Sequence, residues 1–183
     1  MPFILACWIV LVAVWAVGAF RTKPTNIQET PRRRFWYRIL MMAAILLLLP
    51  DVRLLPFLTP LHAPAPAIGL AADILAALGL FVAVWARVTL GGNWSGDVTF
   101  KHGHELVQSG PYRFVRHPIY TGFLLLFLAT ALAEGRATGY AAVFVLFISF
   151  WIKWRQEEEI MAKHFPSYAA YKKRVRALVP FIL

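Results

Sequence analysis

The sequence predicts an all-α protein, a polytopic membrane bundle of about five transmembrane helices followed by a cytosolic helical segment at the C-terminus. Three observations predict this fold class. Of the 183 residues, 60% are hydrophobic and only 15% are charged, whereas soluble domains carry roughly 25% charged residues. Several uncharged runs are long enough to cross a bilayer. The basic residues, moreover, are concentrated in alternate loops. We expect a single membrane domain over residues 1–183.

Three membrane helices are predicted within residues 1–90. The first covers about 2–20 without a charge, which at about 1.5 Å per residue crosses roughly 30 Å of hydrocarbon. A basic loop over residues 21–34 precedes the second helix, which starts at the aromatic residues 35–37. Its end is set either near Leu49, where a proline follows, or as late as Leu58. The prolines between 56 and 66 predict a loop, and the third helix spans about 67–90.

Residues 91–183 are predicted to hold a binding loop, a helical hairpin and a C-terminal segment. The stretch 91–117 is the only long polar part of the chain. The fourth and fifth membrane segments, about 118–133 and 137–154, are separated by Glu134, Gly135 and Arg136. Two short apolar segments with so short a connection indicate a tight helical hairpin. The remainder, 155–183, is amphipathic.

The distribution of basic residues predicts the orientation in the membrane. Of the 19 Lys and Arg residues, 17 fall in the first loop, in or beside the central polar stretch, or after the last apolar segment. Only Arg53 and Arg136 lie in the alternate loops. This asymmetry is the positive-inside pattern, so the net charge of +10 indicates contact with anionic membrane lipids rather than with nucleic acid. We expect a bacterial inner-membrane protein with its N-terminus outside and its C-terminus in the cytosol.

The segment from residue 110 to residue 122 contains the first candidate site. Pro118 suits the first position of a helix, which places His117 at the N-cap. The exposed N–H groups and the positive dipole end at such a position can receive an anion. Tyr112 and Tyr120 offer ring faces and hydroxyls, and Gly122 allows a ligand or a backbone to approach closely. An interfacial loop with a capping histidine is the alternative interpretation.

An acidic triplet, Glu157-Glu158-Glu159, follows the last apolar segment. A solvated helix start is the simple interpretation. Because a buried carboxylate is costly unless it is paired, we expect at least one of the three to turn toward the bundle and to find a partner. That partner is a ligand, or alternatively Lys153 or Arg155.

Taken together, these residues resemble the isoprenylcysteine carboxyl methyltransferase family and related phospholipid methyltransferases. The resemblance rests on the order of three motifs between about Trp94 and the C-terminus: residues 110–122 with their Arg-His-Pro-x-Tyr-x-Gly element, then Glu157-Glu158, then the tyrosines and basic residues of 168–180. It implies a membrane-embedded transferase that binds S-adenosylmethionine in a cytosolic pocket. A lipophilic small molecule or a lipid-modified substrate would reach that pocket from within the bilayer.

The resemblance also implies the site residues. Three of them are assigned to catalysis: His117, Glu158 and Arg155, although Glu157 or Glu159 could replace Glu158. The family places an arginine about one helical turn before this glutamate, and Trp154 occupies that position here; Arg155 beside it is our choice. The residues assigned to the cofactor are His104, Glu105, Leu106, Val107, Tyr112, His117, Pro118, Ile119, Tyr120 and Glu158.

The expected reaction is direct methyl transfer, for which orientation and desolvation matter most. A carboxylate acceptor needs a cation to hold it, whereas an amine needs a base such as His117 or one of the glutamates. Carboxylates, amines, thiols and lipid head groups all stay open, as does the oligomeric state. No metal is expected, since His102, His104 and His117 come without cysteine or paired acidic ligands. The alternatives are an NADPH enzyme related to membrane sterol reductases and a non-catalytic partner protein.

Overall fold

The computed structural model describes residues 1–20, 22–28, 31–49, 65–101, 103 and 105–180. Within these residues the chain is a helical bundle, and the predicted fold class is confirmed. Two short strands, β1 (Thr25–Gln28) and β2 (Thr99–Lys101), pair antiparallel beside the bundle. Residues 91–93 and 110–113 form single 3₁₀ turns. The helices are α1 (Pro2–Ala19), α2 (Pro31–Leu48), α3 (Pro66–Leu90), α4 (Pro118–Glu134), α5 (Ala137–His164) and α6 (Tyr168–Arg174).

The packing of α3 against α4 forms the centre of the bundle. Here α1 packs on α3, α5 packs on α4, and α2 packs on α5. A Cβ atom at Gly122 would lie 2.6 Å from the carbonyl oxygen of Gly79 and 2.7 Å from the Cβ of Ala83. Small residues let two membrane helices approach this closely. The close approach predicted at Gly122 is therefore made by the backbone of α3 and not by a ligand.

Three helices are long and apolar enough to cross a membrane: α1, the continuous helical run Pro66–Asn93 that begins with α3, and α5. The mean hydropathy of their most apolar windows is 2.3, 2.3 and 1.5. Leu5 and Val12 on α1 and Leu70 and Phe81 on α3 are each exposed by 60% or more, which suits lipid rather than water as the surrounding solvent. The protein is an integral membrane protein. The other two predicted crossings, by α2 and by the shorter apolar helix α4, stay predictions.

Two helices extend beyond the membrane segments predicted from the sequence. The second helix starts at Pro31 and not at Phe35, so the arginines 32–34 belong to its first turn; a proline is well suited to the first helical position. The fifth helix continues to His164 rather than ending at Trp154. A charge ends a membrane span but not a helix, and Gln and Glu are good helix formers. The helix ends only at Phe165, which is extended and precedes Pro166.

The connection between α4 and α5 is the tight hairpin that the sequence predicts. Gly135 takes the left-handed conformation at the C-cap of α4, with φ of 67°, and its N–H binds the carbonyl oxygen of Ala131. A Cβ at Gly139 would lie 2.9 Å from Ala131. The last turn of α4 and the first turn of α5 are therefore in close contact. The proline-rich stretch after α2 that was predicted to be a loop, with Leu58 and Arg53, lies outside the described residues.

Candidate active site

A cavity of about 390 Å³ lies at the end of the bundle where α3 ends and α4 begins. Helices α1 to α6 all contribute to its wall, together with the polar segment between α3 and α4. One part of the wall is apolar and aromatic; the other carries hydroxyls and charges. The apolar part includes Trp15, Met41, Leu90, Phe123 and Phe150, and the polar part includes Tyr112, His117, Tyr120, Lys153 and Glu157.

The loop that enters α4 is fixed by the C-terminal segment of the chain. The backbone N–H groups of Arg116 and His117 donate to the carbonyl oxygens of Arg176 and Ala177, at 2.8 and 2.9 Å. The hydroxyl of Thr121, one turn into α4, donates to the carbonyl oxygen of Leu178 at 2.8 Å. These bonds hold the start of α4 in one position, so the side chains that project from it into the cavity are held as well.

His117 is the N-cap of α4, as the sequence predicts, but its side chain makes no capping hydrogen bond to that helix. Its ring is stacked near Tyr120 and Trp154, with ring centroids 5.4 and 5.9 Å away. The Nε2 atom lies 3.2 Å from Oε1 of Glu158, and Nδ1 lies 3.6 Å from Oε2 of Glu157. The imidazole therefore stands between the two carboxylates and lines the cavity.

Glu158 is enclosed by a cluster of charged groups behind the cavity wall. Only 5% of its side chain is exposed. Arg116 donates to its Oε1 from Nε at 2.8 Å and from Nη2 at 2.7 Å, and Lys172 donates to its Oε2 at 2.6 Å. The Nη1 group of Arg116 donates to the carbonyl oxygens of Lys172 and Val175. This arrangement fastens α5, the entry to α4 and α6 to one another.

Glu157 is the glutamate of the triplet that lines the cavity. It accepts a hydrogen bond from the hydroxyl of Tyr120 at 2.6 Å. Glu159 points away and pairs with Arg33 on α2, at 2.9 Å and half exposed. Successive helical residues are rotated by roughly 100°, so three identical side chains in a row face a cavity, a buried charge cluster and the surface.

Buried tyrosines connect the cavity to the C-terminal helix. The hydroxyl of Tyr171 donates to the carbonyl oxygen of Tyr112 at 2.6 Å, and both residues line the cavity. Burial raises the pKa of Tyr171 to about 12. Burial, and secondly the negative charge of Glu157, raise the pKa of Tyr112 well above its ordinary value. The two phenols stay neutral at physiological pH and act as hydrogen-bond donors.

The two cations near the triplet lie in different surroundings. Lys153 lines the cavity, where its ammonium donates to the carbonyl oxygen of Gly96 at 2.6 Å. The ammonium also lies 5.5 Å from the ring centroid of Tyr120. Arg155, the cation assigned to the substrate from the sequence, is exposed and is not part of the cavity wall in the described residues. We therefore leave it out of the proposed site. Trp154 between them is buried against His117.

Most of the residues predicted to bind a cofactor are brought together around this cavity. Pro118 is fully buried within the start of α4, and Glu158 lies in the charge cluster. His104 and His102 lie outside the described residues. The predicted residues that line the cavity are Glu105, Leu106, Val107, Tyr112, His117, Ile119 and Tyr120.

Several residues of the site were not identified from the sequence. Trp94 lines the cavity and contacts Trp15 edge to face at 6.2 Å. Behind it, Arg87 stacks on the Trp94 ring at 4.4 Å and donates to the carbonyl oxygens of Gly18 and Gly91. The sequence contained one indication of these residues: an arginine at the end of an apolar helix, followed by a tryptophan in a polar stretch.

Comparisons with known proteins show the family to which the chain belongs. The model of the phospholipid methyltransferase family matches residues 68–168, more than half of the chain. The chain belongs to the phospholipid methyltransferase family. The resemblance recognised in the Arg-His-Pro-x-Tyr-x-Gly element and the glutamate pair is thereby confirmed. Most of the cavity wall falls inside the matched segment, whereas Trp15, Met41 and Tyr171 lie outside it.

Curated relatives include transferases for different acceptors. A methanethiol S-methyltransferase of Crocosphaera subtropica is 34% identical, over 39% of this chain and 28% of its own length. A protein-S-isoprenylcysteine O-methyltransferase of Schizosaccharomyces pombe is 31% identical, over 57% of this chain and 46% of its own. The cobalt-zinc-cadmium resistance protein CzcN of Cupriavidus metallidurans is 31% identical, over 50% and 44%. The chain thus spans less than half the length of these relatives.

A solved structure shares the fold. It is the eukaryotic intramembrane Ras methyltransferase ICMT (isoprenylcysteine carboxyl methyltransferase), with 22% sequence identity and a TM-score of 0.56. The likeness covers 85% of this chain and 55% of that one. A polytopic helical architecture is therefore common to both.

Proposed function

We propose that the protein transfers a methyl group from S-adenosylmethionine to a lipophilic acceptor at the membrane. The observation that supports this most strongly is the mixed lining of the cavity, most of which falls inside the segment matched by the methyltransferase family. The lining offers a carboxylate, an imidazole and phenols together with tryptophan, phenylalanine and aliphatic side chains. A polar cofactor and an apolar acceptor can meet there. The acceptor class named by each relative stays a property of that relative.

The donor set around the polar side fits S-adenosylmethionine. A volume of about 390 Å³ lies within the range of roughly 300–1,000 Å³ typical of small-molecule sites. The carboxylate of Glu157 suits an ammonium group, and the ring faces of Tyr112 and Tyr120 suit a sulfonium, because aromatic faces attract cations. When bound, the cofactor supplies an electrophilic methyl group on its sulfonium.

The residues of this chain contribute orientation and exclusion of water. Tyr120 is held by Glu157 on one side and by stacking on Phe150 at 4.4 Å on the other. His117 is held by Glu158 and by the neighbouring rings. Groups fixed in this way hold two ligands in reacting geometry, and such fixing can account for much of the acceleration of a direct transfer. Glu158 acts as the residue that positions His117, while Glu157 and His117 face the ligand.

The apolar side of the cavity supports a lipophilic acceptor. Trp15 comes from α1, which packs on α3, and Met41 comes from α2, which packs on α5. The helix between these two pairs, α4, contributes Phe123. An acceptor chain that reaches the cavity from the bilayer would meet these apolar side chains, and its hydrocarbon would stay out of water.

The charge asymmetry supports a cytosolic position for this site. With the basic segments on the cytosolic side, the cavity opens where S-adenosylmethionine is made and the N-terminus faces out. Single cysteines, one inserted directly after Met1 and one replacing Arg176, in a Cys7→Ser background test the orientation. We expect an impermeant maleimide to label only the first in intact cells, and labelling of residue 176 alone would reverse the assignment.

Binding and transfer are tested on the full chain purified in an uncharged detergent. We expect S-adenosylhomocysteine, the product form of the cofactor, to bind with a measurable Kd while NADPH does not. With membranes and methyl-labelled S-adenosylmethionine, we expect label to enter the lipid-soluble fraction with the wild-type protein and not with His117→Ala. The exposed Arg155→Met serves as the matched control. Tight binding of NADPH without binding of S-adenosylhomocysteine would favour the reductase alternative and contradict the proposal.

A further inference from the structure

Arg87 is a buried cation in the last turn of α3, and helix carbonyls hold it in place of a carboxylate. The residue is only 4% exposed. Its Nη2 donates to the carbonyl oxygen of Gly18 at 2.6 Å, and its Nη1 donates to that of Gly91 at 2.9 Å. Gly18 lies in the last turn of α1 and Gly91 is the C-cap of α3. Because carbonyl groups at helix C-termini carry partial negative charge, two helix ends compensate a charge that pairs with no carboxylate among the described residues.

The same guanidinium joins these helix ends to the cavity wall. Its Cζ lies 4.4 Å from the ring centroid of Trp94, which lines the cavity. A planar guanidinium can stack on an aromatic face while its N–H groups donate in its own plane, an arrangement that the ammonium of lysine cannot make. A Cβ atom at Gly18 would lie 2.5 Å from Nη2, so the backbone of α1 approaches the group closely. Arg87 therefore holds Trp94 and the end of α1 together.

Trp94 is the first of four rings that form an aromatic wall in the apolar part of the cavity. It contacts Trp15 of α1 edge to face at 6.2 Å, and Trp15 contacts Phe123 of α4 in the same way at 5.2 Å. Phe123 contacts Phe150 of α5 at 6.2 Å. All four rings line the cavity, and such pairs favour defined ring orientations. Loss of the support behind Trp94 would therefore also loosen Trp15, which packs against it.

We propose that Arg87 is a positioning residue for the methyl acceptor, and that it acts through Trp94 by fixing the aromatic wall against which the acceptor's apolar chain binds. This inference rests on the proposed methyl transfer, since it assigns the apolar part of the cavity to the acceptor. Arg87 itself is absent from the described cavity wall, so it acts on the ligand only through its neighbours. The carboxylate, imidazole and phenols of the polar part are held by other contacts, and binding of the cofactor should not depend on Arg87.

A photoreactive octanol with a diazirine on its chain tests the aromatic wall. This uncharged alcohol is irradiated with the full chain saturated with S-adenosylhomocysteine in an uncharged detergent, and mass spectrometry locates the labelled residues. We expect labelling of Trp15, Met41 and Phe123 to fall at least fivefold in Arg87→Met. Labelling of Phe144, which is 64% exposed on α5, is the internal control and should not change. Unchanged or stronger labelling inside the cavity would overturn the inference.

A double-mutant cycle shows whether Arg87 acts through Trp94. We expect Trp94→Leu to lower the cavity labelling about as much as Arg87→Met, and the double variant to lower it little further, because residues that act as a unit are not additive. Trp94→Phe keeps an aromatic face and should retain most of the labelling, and the exposed Arg155→Met should retain all of it. Losses that multiply in the double variant would mean that the two residues act independently, and the inference would fail.

Binding of S-adenosylhomocysteine separates positioning from a general structural role. Its Kd should stay within about twofold of wild type in Arg87→Met, whereas a parallel loss of cofactor binding and cavity labelling would contradict positioning. If Arg87→Met does not fold, Arg87→Lys takes its place; it keeps the charge without the stacked fork, and we expect at least a twofold loss of labelling at Trp15. Full labelling in Arg87→Lys would then overturn the inference while methyl transfer stands. If S-adenosylhomocysteine does not bind to the wild type, the proposed function itself fails.

Discussion

Two neighbouring glutamates of α5 lie on different faces of the helix, and their carboxylates have very different surroundings. On one face, Glu158 is almost fully buried, and Arg116, His117 and Lys172 all lie within 3.2 Å of its oxygens. On the other face, Glu157 is 24% exposed, accepts one short hydrogen bond and borders a cavity. The first carboxylate has its charge satisfied within the protein, whereas the second has capacity left for a ligand.

The difference indicates that one glutamate stabilises the fold while its neighbour is available to bind a ligand. A buried charge must be paired and hydrogen-bonded, or its desolvation dominates. The cluster around Glu158 meets this demand by joining three parts of the chain that are distant in sequence. Its neighbour Glu157 is left with partners that a ligand can share. Changes at one face should therefore appear as lost stability, and changes at the other as lost affinity.

The largest effect is expected for Glu158→Ala. Removing this carboxylate leaves Arg116, whose side chain is only 9% exposed, as an uncompensated buried charge. Breaking a buried pair in this way costs about 3–5 kcal/mol. Unfolding of the detergent-solubilised protein by SDS, followed by circular dichroism, measures the change. Glu157→Ala is the control and should lower stability by less than about 1 kcal/mol; equal losses for both variants would erase the distinction between the two faces.

A smaller loss of stability is expected for Gly122→Ala, at the close contact between α3 and α4. The added methyl would lie 2.6–2.7 Å from Gly79 and Ala83, and overpacking of this kind costs about 1–3 kcal/mol. The matched control is Gly69→Ala on α3, where nothing lies within 4 Å of the new Cβ. We expect the control to be neutral or stabilising in the same SDS titration. An unchanged Gly122→Ala would mean that α3 and α4 are not held in this close contact.

The sequence predicted the helices better than the surroundings of the charges. Apolar runs, Pro118 and Gly135 defined α1, α3, α4 and the hairpin, because span length and helix signals are local. The first turn of α2 and the last turns of α5 lie outside the predicted membrane segments, because charged residues end a membrane span but not a helix. The residues assigned to the cofactor between 105 and 120 were chosen by resemblance to the family. Most of these assigned residues line the cavity.

Which face each glutamate takes could not be predicted from the motif. That choice depends on Arg116 and Lys172, which lie 42 and 14 residues away from Glu158 in the chain. The same limit applies to the cations: Lys153 and Arg155 both carry a positive charge, and their positions on α5 relative to the cavity distinguish them. Pairings between distant residues are set by tertiary structure, and no local pattern reports them.

Glu157→Gln should weaken the cofactor site while leaving the fold intact. The amide keeps the size of the side chain and an acceptor for Tyr120 but loses the charge that attracts a cationic ligand. We expect the Kd of S-adenosylhomocysteine to rise about tenfold, equivalent to about 1.4 kcal/mol, as measured by isothermal titration calorimetry. Glu159→Gln, on the exposed face of the same turn, is the control and should bind as wild type. Similar losses in both variants would point to a general change in surface potential instead.

The smallest effect is expected for Lys172→Met, which removes one partner of Glu158 from the outside of the cluster. Its side chain is 49% exposed, and an exposed ion pair contributes roughly 0–1 kcal/mol because water and salt screen it. Arg116 and His117 remain to neutralise the carboxylate. We expect a loss below about 1 kcal/mol in the SDS titration, shrinking further at high salt. A loss as large as that of Glu158→Ala would show that the cluster depends on α6 for closure, and that its buried arginine alone cannot hold Glu158 away from the cavity.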